Sequence, residues 1–251
     1  MIIKVNGIVI REYTIGESDK YITLFTKELG KIQVSAPRAK KYVKGLAAGT
    51  QLFVYGEFMV SGYQGTYKLL SAEPTYMFQG LSRDLSVLSY ATYFAEFVSE
   101  VSDENSGNGE LLTLMLYALH NLSKPDSNVL ITRCVFELRA MVILGFMPQL
   151  KTCLNCACEI ELLKEARFFS VEQGGILCSK CKGYEPSFKI DEVTWYTLLY
   201  ITYTPIKKVY QFKVDDYVLK QLKPLIEAYV TYYIEKKFKT LEFIESIESI
   251  I

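Results

Sequence analysis

Histidine occurs once among the 251 residues, and tryptophan once. The single histidine, His120, is followed by Asn121 and Leu122, so the His-x-Glu that gives a zinc deaminase a ligand and a general acid/base is missing. Its spacing places it on an amphipathic helix, as a packed or half-exposed residue rather than a ligand or a base. No run of eighteen apolar residues is present and no basic-then-apolar leader opens the chain, which points to a soluble, cytoplasmic protein. A G-x-x-x-x-G-K-[ST] phosphate loop is also missing, and Gly174-Gly175 does not stand between a strand and a helix. Internal repeats and low-complexity tracts are absent. Together these absences argue against an enzyme and against nucleotide-driven work. Net charge is absent too, since 28 Lys and Arg balance 28 Asp and Glu.

Cysteine is present in an informative pattern. Two CxxC pairs, Cys153-x-x-Cys156 and Cys178-x-x-Cys181, are separated by 21 residues. Each pair sets two thiolates on a tight knuckle, and a hairpin of roughly 20 residues brings two knuckles together as the corners of a tetrahedral Zn²⁺ site. Between them, Arg167 to Val171 reads as a short strand, and Gly174-Gly175 supplies the positive φ for the turn into the second knuckle. Cys158 could replace a neighbour. Cys153 and Cys156 are preferred because a CxxC loop turns backbone amides toward the sulfurs, whereas the side chains of Cys156-Ala-Cys158 converge less. A site closed by four cysteines has no open position for water or substrate, so the expected zinc is structural. Cys134 lies in an apolar helical stretch and is expected in the core.

The charge is unevenly spread. The first 80 residues hold ten basic and six acidic side chains, and residues 20–44 contain Lys20, Lys27, Lys31, Arg38, Lys40, Lys41 and Lys44 against Glu28 alone. Such a cluster is either a solvated face or a binding face for phosphates.

Residues 1–78 read as strands at about 2–12, 21–26, 31–36, 51–61 and 66–72, with Gly30 and the 62–65 turn marking hairpins. Five short strands with no long helix suggest a small closed barrel, of which the five-stranded OB-fold is the commonest form. From residue 82 the period becomes 3.6. Tyr90, Tyr93, Phe94 and Phe97 share a helix face and are expected to be core. Further helices are predicted at about 109–123, 127–145, 192–203 and 215–238, with Pro224 starting or kinking a segment of the last. The fold class is therefore α+β: an OB barrel over 1–79, then a helical domain over 80–251 with a zinc ribbon inserted at about 150–183. Half the residues are hydrophobic, enough for one large core or two ordinary ones.

Gly7-Ile-Val-Ile-Arg-Glu-Tyr13 and Gly16-Glu-Ser-Asp-Lys20, with the stretch through Ile32, resemble the opening of the RecO family of bacterial recombination mediators and strand-annealing proteins. Phe136 to Pro148 is similar to the family's helix before the zinc segment, and the cysteine pairs with Phe169-Ser170 and Gly174-Gly175 resemble its zinc-bearing form. The order of parts matches along the whole chain. One departure is Ala36-Pro-Arg-Ala-Lys-Lys41, which stands where family members often carry Gly-Ala-Arg/Lys; the basic character survives without the glycine. The resemblance implies an N-terminal OB-fold, DNA repair and recombination, binding of single-stranded and possibly duplex DNA, strand annealing, and recombinase loading with RecR on SSB-coated strands near the nucleoid. It makes Lys20, Lys27, Arg38, Lys40, Lys41 and Lys44 the expected phosphate contacts. The alternative is a zinc-stabilised adaptor that binds protein or RNA without annealing. For the acidic SSB tail, the 127–145 helix offers Arg133 and Arg139 beside Val135, Leu138, Val142 and Ile143; otherwise both arginines pair with neighbouring acids.

Overall fold

The structure, a computed structural model, describes residues 1–39, 46–63, 66–104, 106–163 and 166–248. Five strands come first: β1 (Ile2–Ile15), β2 (Asp19–Thr26), β3 (Gly30–Ala36), β4 (Val54–Tyr63) and β5 (Thr66–Met77), with a single helical turn α1 (Leu46–Gly49) between β3 and β4. They pair in the order β1-β2-β3-β5-β4, and β1 also pairs with β4, so the sheet closes into a barrel. Every pairing is antiparallel except β3 with β5. Alternate residues point inward and form the core: Val5, Val9, Ile22, Leu24, Ile32, Val34, Phe58, Val60 and Leu69 are all buried. β1 changes register between Val9 and Arg11, a bulge that resets which residues face out beyond it. β1 and β5 run longer than the sequence pattern suggests.

Helices follow as α2 (Leu85–Val101), α3 (Gly109–Leu122), α4 (Val129–Ile143), α5 (Glu192–Tyr203), α6 (Asp216–Ile234) and α7 (Lys239–Glu248). Their starts are written in short polar caps. Asp84, Asn108, Asn128 and Asp191 each accept a hydrogen bond from a backbone N–H in the first turn. Tyr90, Tyr93, Phe94 and Phe97 of α2 are fully buried, as their spacing predicts. The helix expected over 215–238 ends instead at Ile234. Glu235 is left-handed at φ 53°, and the chain restarts as α7. Pro224 lies inside α6, which continues through it.

The chain forms two compact units, Met1–Ser127 with Phe238–Ile251, and Asn128–Lys237. The last barrel strand ends at Met77, next to the boundary expected between 79 and 80, yet the helices after it do not form one body. α2, α3 and α7 share the first unit with the barrel; α4, α5 and α6 share the second with the cysteine segment.

In the first unit, the β2–β3 turn and the α2–α3 connection meet backbone to backbone. A side chain at Gly30 would lie 2.2 Å from the carbonyl oxygen of Ser106, and one at Gly107 would lie 2.4 Å from that of Lys27. Phe238, just before α7, stacks on Phe97 at 5.3 Å and meets Tyr93 edge-on at 5.4 Å.

Candidate metal centre and nucleic-acid face

The cysteine segment is a three-stranded sheet of β6 (Arg167–Ser170), β7 (Gly175–Cys178) and β8 (Phe188–Ile190), in the order β7-β6-β8. Gly174 takes φ +71° in the β6–β7 turn, as the glycine pair predicts. The third strand is not visible in the sequence pattern: at three residues it is too short to show alternation. The sheet is seated on the helices of its own unit. Phe169 meets Tyr229 of α6 edge-on at 5.4 Å, and the Tyr233 hydroxyl donates to the Glu172 carbonyl at 3.2 Å. The buried Trp195 of α5 donates its indole N–H to the Leu150 carbonyl at 2.8 Å, and the Arg167 guanidinium lies 4.8 Å from its ring centroid.

This frame sets the two knuckles face to face. In the first, the Cys153 N–H donates to the Cys158 carbonyl at 2.8 Å and the Ala157 N–H to the Cys153 carbonyl at 3.0 Å, with Ala157 left-handed at φ 56°. In the second, the Cys181 and Lys182 N–H groups both donate to the Cys178 carbonyl, at 3.1 and 3.0 Å. The sulfurs of Cys153, Cys156, Cys178 and Cys181 all lie within 4.8 Å of one another. A tetrahedral ion with bonds of about 2.3 Å would set its sulfurs about 3.8 Å apart. Cys156 and Cys178 are separated by 3.8 Å. The four residues therefore fit a tetrahedral metal ion without rearrangement of the fold, and they are the four that the spacing selects.

At the centre, the electrostatics divide the cysteines into two with a lowered and two with a raised thiol pKa. Burial opposes ionisation of Cys153, but the backbone N–H groups of Cys156, Cys178 and Asn155 directed at its sulfur outweigh burial and hold it at about 6. Cys156 is lowered too, chiefly by the Cys158 N–H. Cys181 is pushed up to about 12 by its hydrogen bonds to the sulfurs of Cys156 and Cys178, and Cys158 is pushed to about 12 chiefly by its bond to Cys156. Four thiolates at this spacing repel one another and need a cation between them. Cys158 stands outside the group of four. Cys134 is buried in α4, and burial pushes its thiol to about 12, as befits a core cysteine.

The basic residues have separate fates. Lys20 forms an ion pair with Glu12 at 2.5 Å, and Lys31 donates to the Ser99 carbonyl at the C-terminal end of α2. Lys27 is exposed, with its stem along Gly109. Arg38 is exposed and left-handed at φ 59°, its own N–H held by the Asp19 carboxylate at 2.8 Å. Lys40, Lys41 and Lys44 lie outside the described residues. Arg133 is 1% exposed and pairs with Glu137 at 2.8 Å and Glu227 at 3.7 Å, so it is an interior ion pair rather than a surface cation. Arg139 donates to the carbonyls of Ile201 and Thr202 near the end of α5. Both arginines thus have work inside the second unit. His120 is exposed on α3, with Nδ1 at 3.3 Å from the Tyr76 hydroxyl.

Sequence reasoning passed over Tyr13 and Tyr21, two exposed aromatics on the outside of the barrel. The predicted strand stops at residue 12, just past the bulge between Val9 and Arg11 that breaks the alternation. The available signal was local: each tyrosine follows a charged residue, Glu12 or Lys20, at the edge of a predicted strand.

A closed five-stranded sheet followed by helices and a four-cysteine centre defines a mixed α+β protein with a closed, metal-type thiol cluster. Family models for the N-terminal and C-terminal parts of recombination protein O match residues 1–78 and 82–242, respectively. The DNA repair protein RecO of Acetivibrio thermocellus is 33% identical over 99% of this chain and 98% of its own length. That of Alkaliphilus metalliredigens is 30% identical over 98% of this chain and the whole of its own, and that of Bacillus pumilus 28% over 99% and 96%. The chain belongs to the RecO family of DNA repair proteins.

Proposed function

We propose that this protein is a non-enzymatic mediator of DNA repair and recombination that binds single-stranded DNA, promotes annealing, and acts with RecR to load recombinase onto SSB-coated strands. The observation that supports it best is similarity over nearly the full length of relatives named for DNA repair. In this reading the barrel, residues 1–79, is an OB-fold that carries the DNA, and residues 80–251 supply partner contacts and the metal centre. Lys27 and Arg38, together with Lys40, Lys41 and Lys44, neutralise phosphates; Lys20, already engaged by Glu12, contributes less. Contacts to phosphate leave base edges free, as annealing of any sequence requires.

The metal of this reading is one Zn²⁺ held by Cys153, Cys156, Cys178 and Cys181. The all-sulfur donor set and its spacing support zinc, whose role with four protein ligands is to staple a fold. The acidic SSB tail needs a cation at the edge of an apolar groove, and the engaged positions of Arg133 and Arg139 direct that search to other residues of the helical part.

Gel shifts with single-stranded DNA, duplex DNA and RNA at two salt concentrations test the proposal. Single-stranded DNA is expected to bind tightest and to weaken steeply with salt. Replacing Arg38, Lys40, Lys41 and Lys44 by alanine should weaken binding of all sequences alike and reduce the slope of log K against log salt by about 0.7 per lost contact. A quadruple variant that binds and anneals normally removes these residues from the interface, and preference for RNA favours the adaptor reading.

A further inference from the structure

Beyond the charges, the outer face of the barrel carries a set of side chains that neither the core nor the ion pairs use. Tyr13 of β1 and Tyr21 of β2 stand directly opposite each other in the ladder, 53% and 46% exposed. Opposed residues bring their Cβ atoms to about 5 Å, so the two phenol rings form adjoining parts of one surface. The same row continues through Ser35 on β3 to Lys68 on β5. The neighbouring row holds Arg11, Thr23 and Gln33, and the Arg11 guanidinium lies 5.9 Å from the Tyr13 ring centroid. Among the described residues, neither tyrosine hydroxyl has a hydrogen-bond partner, and neither Arg11 nor Lys68 has an ion pair.

We propose that this face is a base-stacking platform for single-stranded DNA, on which successive bases lie against Tyr13 and Tyr21 while Arg11 and Lys68 hold the flanking phosphates. The inference rests on the single-strand reading of the barrel and gives it a second, uncharged component. Charge complementarity sets the occupant: two cations with no internal anion flank two exposed rings, a pattern suited to a chain of alternating phosphates and π faces. Proximity to Arg38 supports it: Asp19, two positions before Tyr21, accepts from the Arg38 backbone N–H, so this exposed cation adjoins the end of the platform. Duplex DNA hides its base faces in its own stack and cannot use the rings. A base held by one face keeps its pairing edge free, which joins the platform to annealing.

A cross-strand aromatic pair also steadies a sheet, so the test must separate π faces from strand stability. Fluorescence anisotropy with labelled oligo(dT) is measured for the full chain, for Tyr13→Phe/Tyr21→Phe and for Tyr13→Thr/Tyr21→Thr. Threonine keeps strand propensity and removes the ring. The phenylalanine variant should match wild type. The threonine variant should bind about tenfold weaker or worse, with an unchanged salt slope, because stacking and not phosphate contact is lost. An abasic deoxyribose-phosphate oligomer reports on wild type alone and so does not depend on any variant folding: it should bind as weakly as oligo(dT) binds the threonine variant. Equal binding of abasic and dT oligomers by wild type overturns the platform and leaves the phosphate contacts standing. Wild type that does not bind oligo(dT) overturns the single-strand reading itself. A preference for oligo(rU) with the same tyrosine dependence assigns the face to RNA and overturns the proposal as stated.

Discussion

Asp191 shows how one carboxylate serves two elements. It accepts from the Thr194 N–H at 2.7 Å to start α5 and from the Gln221 side chain of α6 at 3.0 Å. Partial burial would raise its carboxyl above 3.8, but these donors outweigh burial and lower it. A group whose folded pKa lies below its unfolded one stabilises fully above the unfolded value and loses that contribution as pH falls through the folded value. Asp191→Ala should therefore cost about 1 kcal/mol near neutrality, and the two urea stabilities should converge as pH drops below about 4. A difference that stays constant with pH would contradict the charged cap. Arg133 presents the opposite case, an ion pair in the interior. Arg133→Ala leaves Glu137 buried without its nearest cation and should destabilise by about 3–5 kcal/mol, whereas Arg133→Met with Glu137→Leu should restore most of the loss. Its burial was not legible in the sequence. Arginine and glutamate four apart read equally well as a solvated helix pair, and only the packing of α6 decides.

At the scale of elements, the ribbon was legible because its ligands are fixed by covalent spacing, which tertiary packing cannot shift. The helix starts near 109, 127 and 192 were legible for a similar reason, since the caps that fix them are local. The end of α6 was not: Glu235 has no glycine-like freedom, and the break there goes with the anchoring of Phe238 against Tyr93 and Phe97, a contact of long sequence range. Tyr13 was missed because a one-residue bulge inverts the parity of β1 ahead of it, and Tyr21, inside a predicted strand, gains its meaning only from the cross-strand pairing. Metal analysis is expected to give one zinc per chain. Chelation, or Cys181→Ser, should speed hydrogen exchange of β6 and β7 amides while leaving β1–β5 amides unchanged, since the barrel has its own core. Cys158→Ser should keep the metal. Retention of zinc by Cys181→Ser and its loss in Cys158→Ser would exchange their roles.

For the whole molecule, the order of parts could be read along the chain, but the grouping of helices could not. Amphipathic periods say that a helix has a buried face; they do not say against what. The first unit takes its last helix from the far end of the sequence, where the N–H groups of Lys239 and Thr240 donate to the Glu96 carboxylate of α2. Deleting residues 238–251 should lower the stability of the first unit, seen as faster exchange in α2, and leave metal content at the ribbon intact. Exchange in α2 identical to the intact chain would show that α7 adds nothing to that unit.

That connectivity makes Asn128–Lys237 an insertion, with both of its ends joined to the same body. During synthesis, the second unit emerges complete while the first still waits for its closing segment. The faces of the Tyr93 and Phe97 rings and the Glu96 carboxylate that residues 238–240 cover stay open until that segment has left the ribosome. A chain cut short by a late frameshift would then carry a finished metal ribbon beside an unfinished N-terminal unit, with apolar rings exposed as a ready mark for proteolysis.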